Sequence, residues 1–346
     1  MLIGVCGSIC AGKTSVVEYL VKEHGFQLLS IELPSDYPPR LAELLESRDT
    51  PPDATFRFRD AQSLLDFVTE NWRGRWVTSS VWDESVLDIL LKRPFFLFIS
   101  VDAPGSVRWN RLLARCSARR CPMPMLDSFL LYNDNEHYTP VSGLAPLLGR
   151  AQLRLLNSTS SLSQLHEALA KLDLPNESRL RPSWDQYFMQ LAHLAAQRSN
   201  CMKRRVGCVL VREKRVISTG YNGTPRGMRN CNDGGCPRCN DASGVGVGLD
   251  TCLCLHAEEN ALLEAGRDRI RDGSILYCDT CPCLTCSVKI AQVGISEVVY
   301  SVGYNVDSAA AAIFQEAGVK LRQFSPPREG LVDLAAGFQA VTSTPF

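Results

Sequence analysis

The 346-residue sequence has no net charge, no long apolar run and no internal repeat. Because its 37 lysines and arginines balance its 37 aspartates and glutamates, no overall basic field would attract a nucleic-acid polymer. No apolar run is long enough to span a membrane, and residues 1–5 lack the basic start of a secretory signal peptide. We therefore expect no nucleic-acid polymer and no membrane as partner. The expected compartment is the cytoplasm, with the nucleus left open.

Cysteine, in contrast, is abundant. The chain contains fifteen cysteines, and nine of them lie from Cys231 to Cys286. In an intracellular chain, clustered cysteines bind metal more often than they form disulfides. We adopt metal binding as the interpretation, and a disulfide framework is the alternative for a secreted protein.

Two short segments supply the ligand types of a zinc site. The first is Leu-His-Ala-Glu-Glu-Asn at 255–260, and the second is Thr-Cys-Pro-Cys-Leu-Thr-Cys at 280–286. One imidazole and two thiolates make three protein ligands, and a catalytic zinc leaves its fourth position to water. The predicted metal ligands are His256, Cys283 and Cys286.

The residues around these ligands have a physical reason to be there. Pro282 suits the first position of a helix, so the two cysteines, three residues apart, share one face of its first turn. Glu258 follows the histidine by two residues and could reach a metal-bound water as the catalytic acid and base. H-x-E followed by P-C-x-x-C is the signature of zinc nucleobase deaminases. A structural zinc or a redox pair is the alternative, but neither needs this glutamate.

The N-terminus contains a phosphate-binding pattern. A strand-like segment at 2–6 precedes Gly-Ser-Ile-Cys-Ala-Gly-Lys-Thr at 7–14, which matches G-x-x-x-x-G-K-T in full. In this pattern, backbone N–H groups surround the phosphates, the lysine reaches them and the threonine ligates Mg²⁺. We expect ATP or another nucleoside triphosphate with Mg²⁺ here, and the alternative is a loop that binds nothing. The residues assigned to the nucleotide are Gly7, Gly12, Lys13 and Thr14.

Strand-like and helix-like segments alternate after this loop. Residues 76–79 and 95–101 are predicted to be buried parallel strands around a helix at 84–92, which indicates a doubly wound α/β domain. The proline-punctuated stretch 120–146 is expected to be a loop or a partner surface. Arginines on the preceding helix resemble the lid of small-molecule P-loop kinases, or they form a solvated helix face: Arg108, Arg111, Arg115, Arg119 and Arg120.

The second half of the chain carries a family resemblance. The zinc motif, the segment 199–227 with its Gly-Tyr-Asn-Gly-Thr-Pro phrase, and Gly-Ile-Ser-Glu-Val-Val-Tyr at 294–300 together resemble the deoxycytidylate (dCMP) deaminase family. The resemblance covers roughly residues 182 to 325, and the P-loop, kinase-like domain before it resembles the fungal form.

This resemblance implies a fold and an activity. The expected fold is a cytidine deaminase-like α/β/α domain with a five-stranded mixed sheet at 179–330, after a P-loop domain at 1–178 and before a tail at 331–346. The expected reaction is zinc-dependent hydrolysis of dCMP to dUMP and ammonia, which supplies dUMP for dTMP synthesis. The alternatives are a deaminase of cytidine or RNA, a bifunctional deaminase and nucleotide kinase, or a non-catalytic zinc scaffold.

The resemblance also implies substrate contacts. Asn222 would contact the deoxyribose and the backbone of Ala257 the base. The 5′-phosphate needs a cation, for which we select Arg205. Its neighbours Lys203 and Arg204 remain open, with Arg226 in reserve.

Regulation and assembly are further expectations from the resemblance. Similar enzymes are activated by dCTP, are inhibited by dTTP and are usually homohexamers. We place the effector at Gly223, Thr224 and Arg226, because a glycine-bearing turn can expose backbone N–H groups to an anion.

A second, structural zinc is expected in the long segment before His256. A long irregular loop rarely holds itself together, and this one is rich in cysteine. Cys201 and Cys231 are the first choices as ligands. The other two ligands would come from this set: Cys236, Cys239, Cys252 and Cys254.

Overall fold

The computed structural model of the protein describes residues 1–33, 54–139, 143–241, 244, 247–303, 307–325 and 330–335. Its strands are β1 (Leu2–Gly7), β2 (Gln27–Ile31), β3 (Phe56–Phe58), β4 (Trp76–Thr78), β5 (Phe96–Asp102), β6 (Leu153–Leu156), β7 (Gly207–Arg212), β8 (Arg215–Tyr221), β9 (Ile275–Thr280), β10 (Glu297–Val302), β11 (Lys320–Gln323) and β12 (Gly330–Asp333). Its helices are α1 (Lys13–His24), α2 (Ala61–Glu70), α3 (Glu84–Leu90), α4 (Gly105–Arg119), α5 (Leu126–Tyr138), α6 (Leu144–Arg150), α7 (Leu162–Leu172), α8 (Trp184–Ala196), α9 (Pro237–Asn240), α10 (Ala257–Ala265), α11 (Leu284–Val293) and α12 (Asp307–Glu316). None of the helices described is both long and apolar enough to cross a membrane.

The chain divides into two units, Met1–Arg181 with Arg328–Phe346, and Pro182–Pro327. The sheet of the N-terminal unit is parallel, in the order β12–β6–β5–β1–β4–β2–β3. Successive side chains of a strand face opposite sides of the sheet, so the apolar residues of β1 enter two cores. Helices α1 and α7 cover one core, and α2, α3 and α6 cover the other. The predicted alternation of buried parallel strands with helices is confirmed.

Two sequence predictions for this unit were wrong. The stretch 120–146 contains α5 and the start of α6 rather than a loop. Prolines misled the prediction, because a proline in the first turn of a helix removes no helical hydrogen bond, and Pro146 occupies such a position in α6.

The second wrong prediction concerns the C-terminal tail. Residues Gly330–Asp333 form β12, which pairs in parallel with β6 as an edge strand of the N-terminal sheet. Val332 is buried there, and Asp333 accepts a hydrogen bond from Ser158 over 3.1 Å. The segment therefore belongs to the N-terminal unit rather than to a deaminase domain or a free tail.

The second unit has the predicted five-stranded mixed sheet, in the order β11–β10–β9–β7–β8. Strand β7 is antiparallel to β8 and β9, whereas β9, β10 and β11 run parallel. Helices α10, α11 and α12 pack on one face, and α8 packs on the other through Phe188, Met189 and Ala192. This arrangement is an α/β/α sandwich, as expected.

Two local features fix helices against the sheet of the second unit. Gly220 of β8 lies against α10 so closely that a Cβ would collide with the carbonyl oxygen of Ala257. On the other face, Asp185 at the start of α8 accepts hydrogen bonds from Tyr277 and Arg322 over 2.8 Å each. Arg322 also donates to Glu297 over 2.9 Å, which links α8 to three neighbouring strands.

Candidate active site

The three predicted zinc ligands meet at the ends of two helices. His256 immediately precedes α10, Cys283 immediately precedes α11, and Cys286 lies in the first turn of α11. The Nδ1 atom of His256 is 3.4 Å from the Cys283 sulfur and 3.3 Å from the Cys286 sulfur. A tetrahedral zinc, with bonds of about 2.0 Å to nitrogen and about 2.3 Å to sulfur, holds such atoms about 3.5 Å apart. The donor set and its spacing therefore fit zinc.

The electrostatics of the cysteine pair favour a metal ligand. Contact with the Cys286 thiol, then with the His256 ring and the Thr285 hydroxyl, lowers the pKa of Cys283 to about 3. The same contact and burial raise the pKa of Cys286. One thiolate is thus stable in this pocket, and a dication would favour the second.

Glu258 lies beside this centre in the first turn of α10. Its side chain is 4% exposed, and burial raises the pKa of its carboxyl to about 6. A carboxyl that can hold or release a proton near neutral pH suits general acid–base catalysis.

A neighbouring residue that we did not predict helps to fix the histidine. Glu259 accepts a hydrogen bond from the backbone N–H of His256 over 3.0 Å, and its other oxygen pairs with Lys289 of α11. The carboxylate therefore joins the two ligand-bearing helices. Its position three residues after the N-cap is the capping-box spacing, a signal that the sequence did contain.

Asn222 is buried and holds a loop in place. Its Oδ1 atom accepts hydrogen bonds from the Ser199 hydroxyl over 2.7 Å and from the Val206 N–H over 2.8 Å. Its Nδ2 atom donates to the carbonyl of Arg204 over 2.7 Å. The structure therefore shows Asn222 anchoring the segment with the candidate phosphate-binding cations, while its predicted sugar contact stays a prediction. Ala257, predicted to contact the base, is buried in the first turn of α10.

The candidate cations differ in their surroundings. Arg204 donates to the Thr280 hydroxyl over 3.2 Å, at the end of β9 and three residues before Cys283. Lys203 donates to the carbonyl of Gly244 over 3.0 Å. Arg205, our first choice, is exposed on the same loop. The hydrogen bond to Thr280 ties Arg204 to the segment that carries the cysteine ligands.

Two amides of the predicted effector turn have partners within the protein. The N–H of Gly223 donates to the carbonyl of Leu255 over 3.2 Å, and Leu255 donates back over 2.9 Å. The N–H of Thr224 donates to Asn200 over 3.4 Å. These two amides are therefore engaged within the protein rather than presented to an anion, and the turn braces the residue before His256. Arg226 is exposed beyond the turn.

The phosphate-binding pattern at the N-terminus adopts a strand–loop–helix geometry. The loop starts at Gly7, at the end of β1, where φ is +141° and a Cβ would collide with the carbonyl oxygen of Val101. It ends at Gly12, where φ is +106°, and α1 begins at Lys13. The lysine ammonium donates to the carbonyl oxygens of Gly7 and Ser8 over 2.6 and 2.8 Å. Thr14 is exposed.

Helix α5 supplies two further groups to this loop, which we did not predict. The Ile9 N–H donates to the Glu136 carboxylate over 3.3 Å. The Ser8 hydroxyl donates to Asp102 over 2.7 Å and lies 2.9 Å from Nε2 of His137. A carboxylate thus contacts one of the loop amides that the pattern reserves for phosphate.

Two of the predicted lid arginines are structural braces. Arg111 donates to the carbonyl oxygens of Cys10, Ala11 and Thr159 over 2.9 to 3.2 Å. Arg108 is buried and donates to the carbonyl of Ala103 over 2.9 Å. Neither interpretation, lid or solvated face, describes these two, because both guanidinium groups satisfy buried backbone acceptors.

The six cysteines considered for a structural zinc lie together in the second unit. The two first choices, Cys201 and Cys231, belong to one group of four with Cys239 and Cys254. The loop is therefore organised around sulfur, as expected.

Comparison with known proteins places this site in a class. The sequence family described as the cytidine and deoxycytidylate deaminase zinc-binding region matches residues 182–302, which include both halves of the zinc motif. The second unit is thus a deaminase domain of the cytidine and deoxycytidylate type.

Relatives identify the particular family. The chain is 50% identical over 338 residues to the deoxycytidylate deaminase of Schizosaccharomyces pombe, covering 95% of this chain and 99% of that protein. It is 44% identical over 336 residues to the deoxycytidylate deaminase of Saccharomyces cerevisiae, covering 94% and 97%. A solved dCMP deaminase from the cyanophage S-TIM5, in complex with dCMP and dUMP, is 30% identical over 42% of this chain and 98% of that chain, with a TM-score of 0.34. Given the two yeast relatives, the chain belongs to the deoxycytidylate deaminase family.

Proposed function

We propose that the protein hydrolyses dCMP to dUMP and ammonia and thereby supplies dUMP for dTMP synthesis. The observation that carries the proposal is the convergence of the His256 Nδ1 atom with the sulfurs of Cys283 and Cys286 at 3.3–3.4 Å. The buried carboxyl of Glu258 beside them supports it. The choice of dCMP among cytosine compounds is supported by the names of the two yeast relatives.

The residues of the chain divide the work of this reaction. His256, Cys283 and Cys286 would hold the zinc, which supplies a Lewis acid that lowers the pKa of water towards neutrality. Glu258 accepts a proton from the attacking water, transfers it to N3 of the cytosine, and later protonates the departing amine. A bond forms between the water oxygen and C4, the C4–N4 bond breaks, and dCMP plus water become dUMP plus ammonia. Because burial raises the pKa of its carboxyl to about 6, Glu258 can both accept and donate a proton near neutral pH.

An ammonia-release assay tests the proposed substrate. Purified protein is given dCMP, CMP, deoxycytidine and dCTP side by side. We expect turnover of dCMP and little turnover of deoxycytidine, because the 5′-phosphate has basic residues available to bind it. Equal rates on dCMP and deoxycytidine would favour the alternative, a deaminase of free cytidine compounds.

For the phosphate contact, we propose the segment 203–205. Asn222 anchors this segment, and Arg204 contacts Thr280 near the cysteine ligands. A phosphate contact at Arg205 would show as a raised KM for dCMP in Arg205→Ala, with the KM for deoxycytidine unchanged. The matched variant Arg204→Ala distinguishes the two neighbours.

A second proposed function is nucleoside triphosphate binding, with Mg²⁺, by the N-terminal unit. It is supported by the complete G-x-x-x-x-G-K-T pattern at a strand–loop–helix junction on a parallel sheet. Incubating the full chain with labelled ATP and nucleoside monophosphates tests the further step, phosphoryl transfer. Binding without transfer would make the loop a ligand site rather than the centre of a kinase.

We also propose regulation by dCTP and dTTP, a homohexameric assembly, and a cytoplasmic location. Arg226 supports the regulatory proposal, because an exposed cation beyond β8 is accessible to a triphosphate. The expected kinetics are sigmoidal in dCMP and become hyperbolic with dCTP. Hyperbolic kinetics that ignore both effectors would contradict this proposal without affecting the deaminase assignment.

A further inference from the structure

The cysteine cluster of the second unit contains more ligands than one ion can use. Its sulfurs form two overlapping groups of four, and within each group all the sulfurs lie within 4.8 Å of one another. The first group contains Cys201, Cys231, Cys239 and Cys254. The second group contains Cys236, Cys239, Cys252 and Cys254. Two cysteines, Cys239 and Cys254, belong to both groups.

The sulfur separations match those around tetrahedral zinc. The Cys239 sulfur is 3.8 Å from those of Cys201 and Cys252 and 4.0 Å from that of Cys254. Two sulfurs bound to one zinc at about 2.3 Å lie about 3.8 Å apart. All six cysteines are free of disulfides. In a [4Fe–4S] cluster each cysteine binds a different iron, and the cysteine sulfurs lie farther apart.

A single ion would leave two close thiols unused. An ion in the first group leaves Cys236 and Cys252, and an ion in the second leaves Cys201 and Cys231. Two four-sulfur groups that share two members are two tetrahedra with a common edge. We propose that this cluster binds two zinc ions, with Cys239 and Cys254 as bridging thiolates and the other four cysteines as terminal ligands.

For Cys239 and Cys254 to bridge two zinc ions, their sulfurs must move slightly closer together. The shared sulfurs of Cys239 and Cys254 are 4.0 Å apart. If they approach to about 3.5 Å, two zinc ions at about 2.3 Å from each sulfur lie about 3 Å from one another. Cys254 lies in a segment without regular secondary structure. A rotation of its side chain can move the sulfur by about half an ångström.

Charge is compensated by donors around the cluster. Six thiolates and two dications carry a net charge of −2, which needs nearby hydrogen-bond donors. The N–H of Met202 donates to the Cys231 sulfur and that of Leu253 to the Cys236 sulfur, each over 3.4 Å. The guanidinium of Arg238 donates to the Cys252 sulfur over 3.7 Å.

Such a cluster would join two parts of the active site. Cys201 precedes the segment 203–205 by two residues, and Cys254 precedes His256 by two residues. Two ions with shared ligands would therefore fix the candidate phosphate-binding loop relative to the catalytic histidine. The inference does not rest on the proposed activity, because metal content is measured without substrate.

The first test is the zinc content of the purified full-length chain, measured by mass spectrometry against protein sulfur after a brief wash with a weak chelator. We expect three zinc ions per chain, one at His256, Cys283 and Cys286 and two in the cluster. Two ions per chain would overturn the proposal in favour of a single structural zinc, and one ion would mean that the cluster binds none.

Variants in each group of four make the test specific. Cys231→Ser removes a ligand from the first group only, and Cys252→Ser from the second only. With two ions, each variant loses at least one zinc, whereas with one ion, one of the two variants keeps the full count and refutes the bridge. Cys121→Ser, a cysteine of the N-terminal unit, is the control and should change nothing.

If these variants fail to fold, X-ray absorption at the zinc edge tests the proposal on the wild-type chain. The wild-type chain should show a zinc–zinc scattering contribution at about 3 Å, as expected for two ions bridged by sulfur. Its absence from a fully loaded sample would overturn the proposal.

Discussion

The zinc site and the phosphate-binding loop differ in what their reactive groups contact. In the second unit, the donor atoms of His256, Cys283 and Cys286 turn towards one another at the spacing of a common metal. In the N-terminal unit, Lys13 donates to carbonyl oxygens of its own loop, and Glu136 accepts from a loop amide. The first site is organised for its ligand in advance, whereas a ligand of the second must replace internal hydrogen bonds. We expect the second site to bind correspondingly less tightly.

The largest predicted effect concerns the zinc site. Glu258→Gln keeps the shape of the side chain but removes the group that accepts and donates protons. We expect turnover of dCMP to fall roughly 10²- to 10⁴-fold with zinc content unchanged. Steady-state kinetics and metal analysis on the same sample measure both. Glu264→Gln, on the exposed side of α10, is the control, and near-normal turnover in a zinc-loaded Glu258→Gln would refute the assigned role.

The next effect tests the phosphate-binding loop. Lys13→Ala removes the cation that would reach the phosphates, so triphosphate affinity should fall roughly 10- to 150-fold, the equivalent of about 1.5–3 kcal/mol for a charged hydrogen bond. Turnover of dCMP should stay within about twofold, because the zinc motif lies in the other unit. Calorimetry on the full chain measures the affinity. Lys22→Ala, on the same helix, is the control, and an unchanged affinity in Lys13→Ala would leave the loop a structural role.

A smaller effect is expected at Glu136, whose carboxylate accepts a hydrogen bond from the phosphate-binding loop. In Glu136→Gln the loop amide loses a charged acceptor that competes with phosphate. We expect triphosphate affinity to rise about fivefold, because two like unit charges 4 Å apart repel by about 1 kcal/mol when water screens them fully. Binding by calorimetry at low and moderate salt measures it, with Asp134→Asn on the same helix as control. Weaker binding in Glu136→Gln would mean that the carboxylate assists the ligand instead.

The smallest effect concerns Asp185 of α8, the helix on the face of the sheet opposite the zinc site. The hydrogen bond from Arg322, followed by that from Tyr277, lowers the pKa of Asp185. We expect Asp185→Asn to reduce the free energy of unfolding by about 1 kcal/mol at pH 7, a value discounted because the carboxylate is partly exposed. Urea unfolding measures it, with Asp272→Asn as an exposed control.

The pH dependence of that effect has a definite sign. A carboxyl whose pKa is lower in the folded state stabilises the protein above its unfolded pKa of about 3.9, and this contribution is lost as pH falls through the folded value. The difference between wild type and Asp185→Asn should therefore be constant from pH 7 to pH 5 and shrink below pH 4. A difference that does not shrink at all as the pH falls below 4 would show that the side chain acts through packing rather than through its charge.

The convergence of the candidate zinc ligands was predictable because each half of the motif is local. His256 and Glu258 are two residues apart, and Cys283 and Cys286 share one helical turn, so their spacing in the chain sets their spacing in space. Individual strands and helices were predictable for the same reason, since apolar patterns are recognised over short windows, whereas the five-stranded mixed sheet was implied by the family resemblance.

The contacts of the phosphate-binding loop were not predictable in this way. Glu136 reaches the loop from a helix more than a hundred residues along the chain, and that helix was itself hidden among prolines. The partners of two amides in the predicted effector turn were hidden for a related reason. The amides of Gly223 and Thr224 look accessible in a glycine-bearing turn, but their partners, Leu255 and Asn200, are brought to them by the fold.

The sequence by itself determined the candidate ligand set, the candidate catalytic carboxyl, many of the individual strands and helices, and the presence of a sulfur-rich loop. Each depends on residue type and on separations of a few residues, where backbone geometry leaves little choice. Only the tertiary structure decided that Gly330–Asp333 completes the N-terminal sheet and that the six cysteines form two groups sharing Cys239 and Cys254. Both outcomes depend on which distant segments pack together, because strand pairing and sulfur–sulfur distances are set by the burial of whole apolar faces.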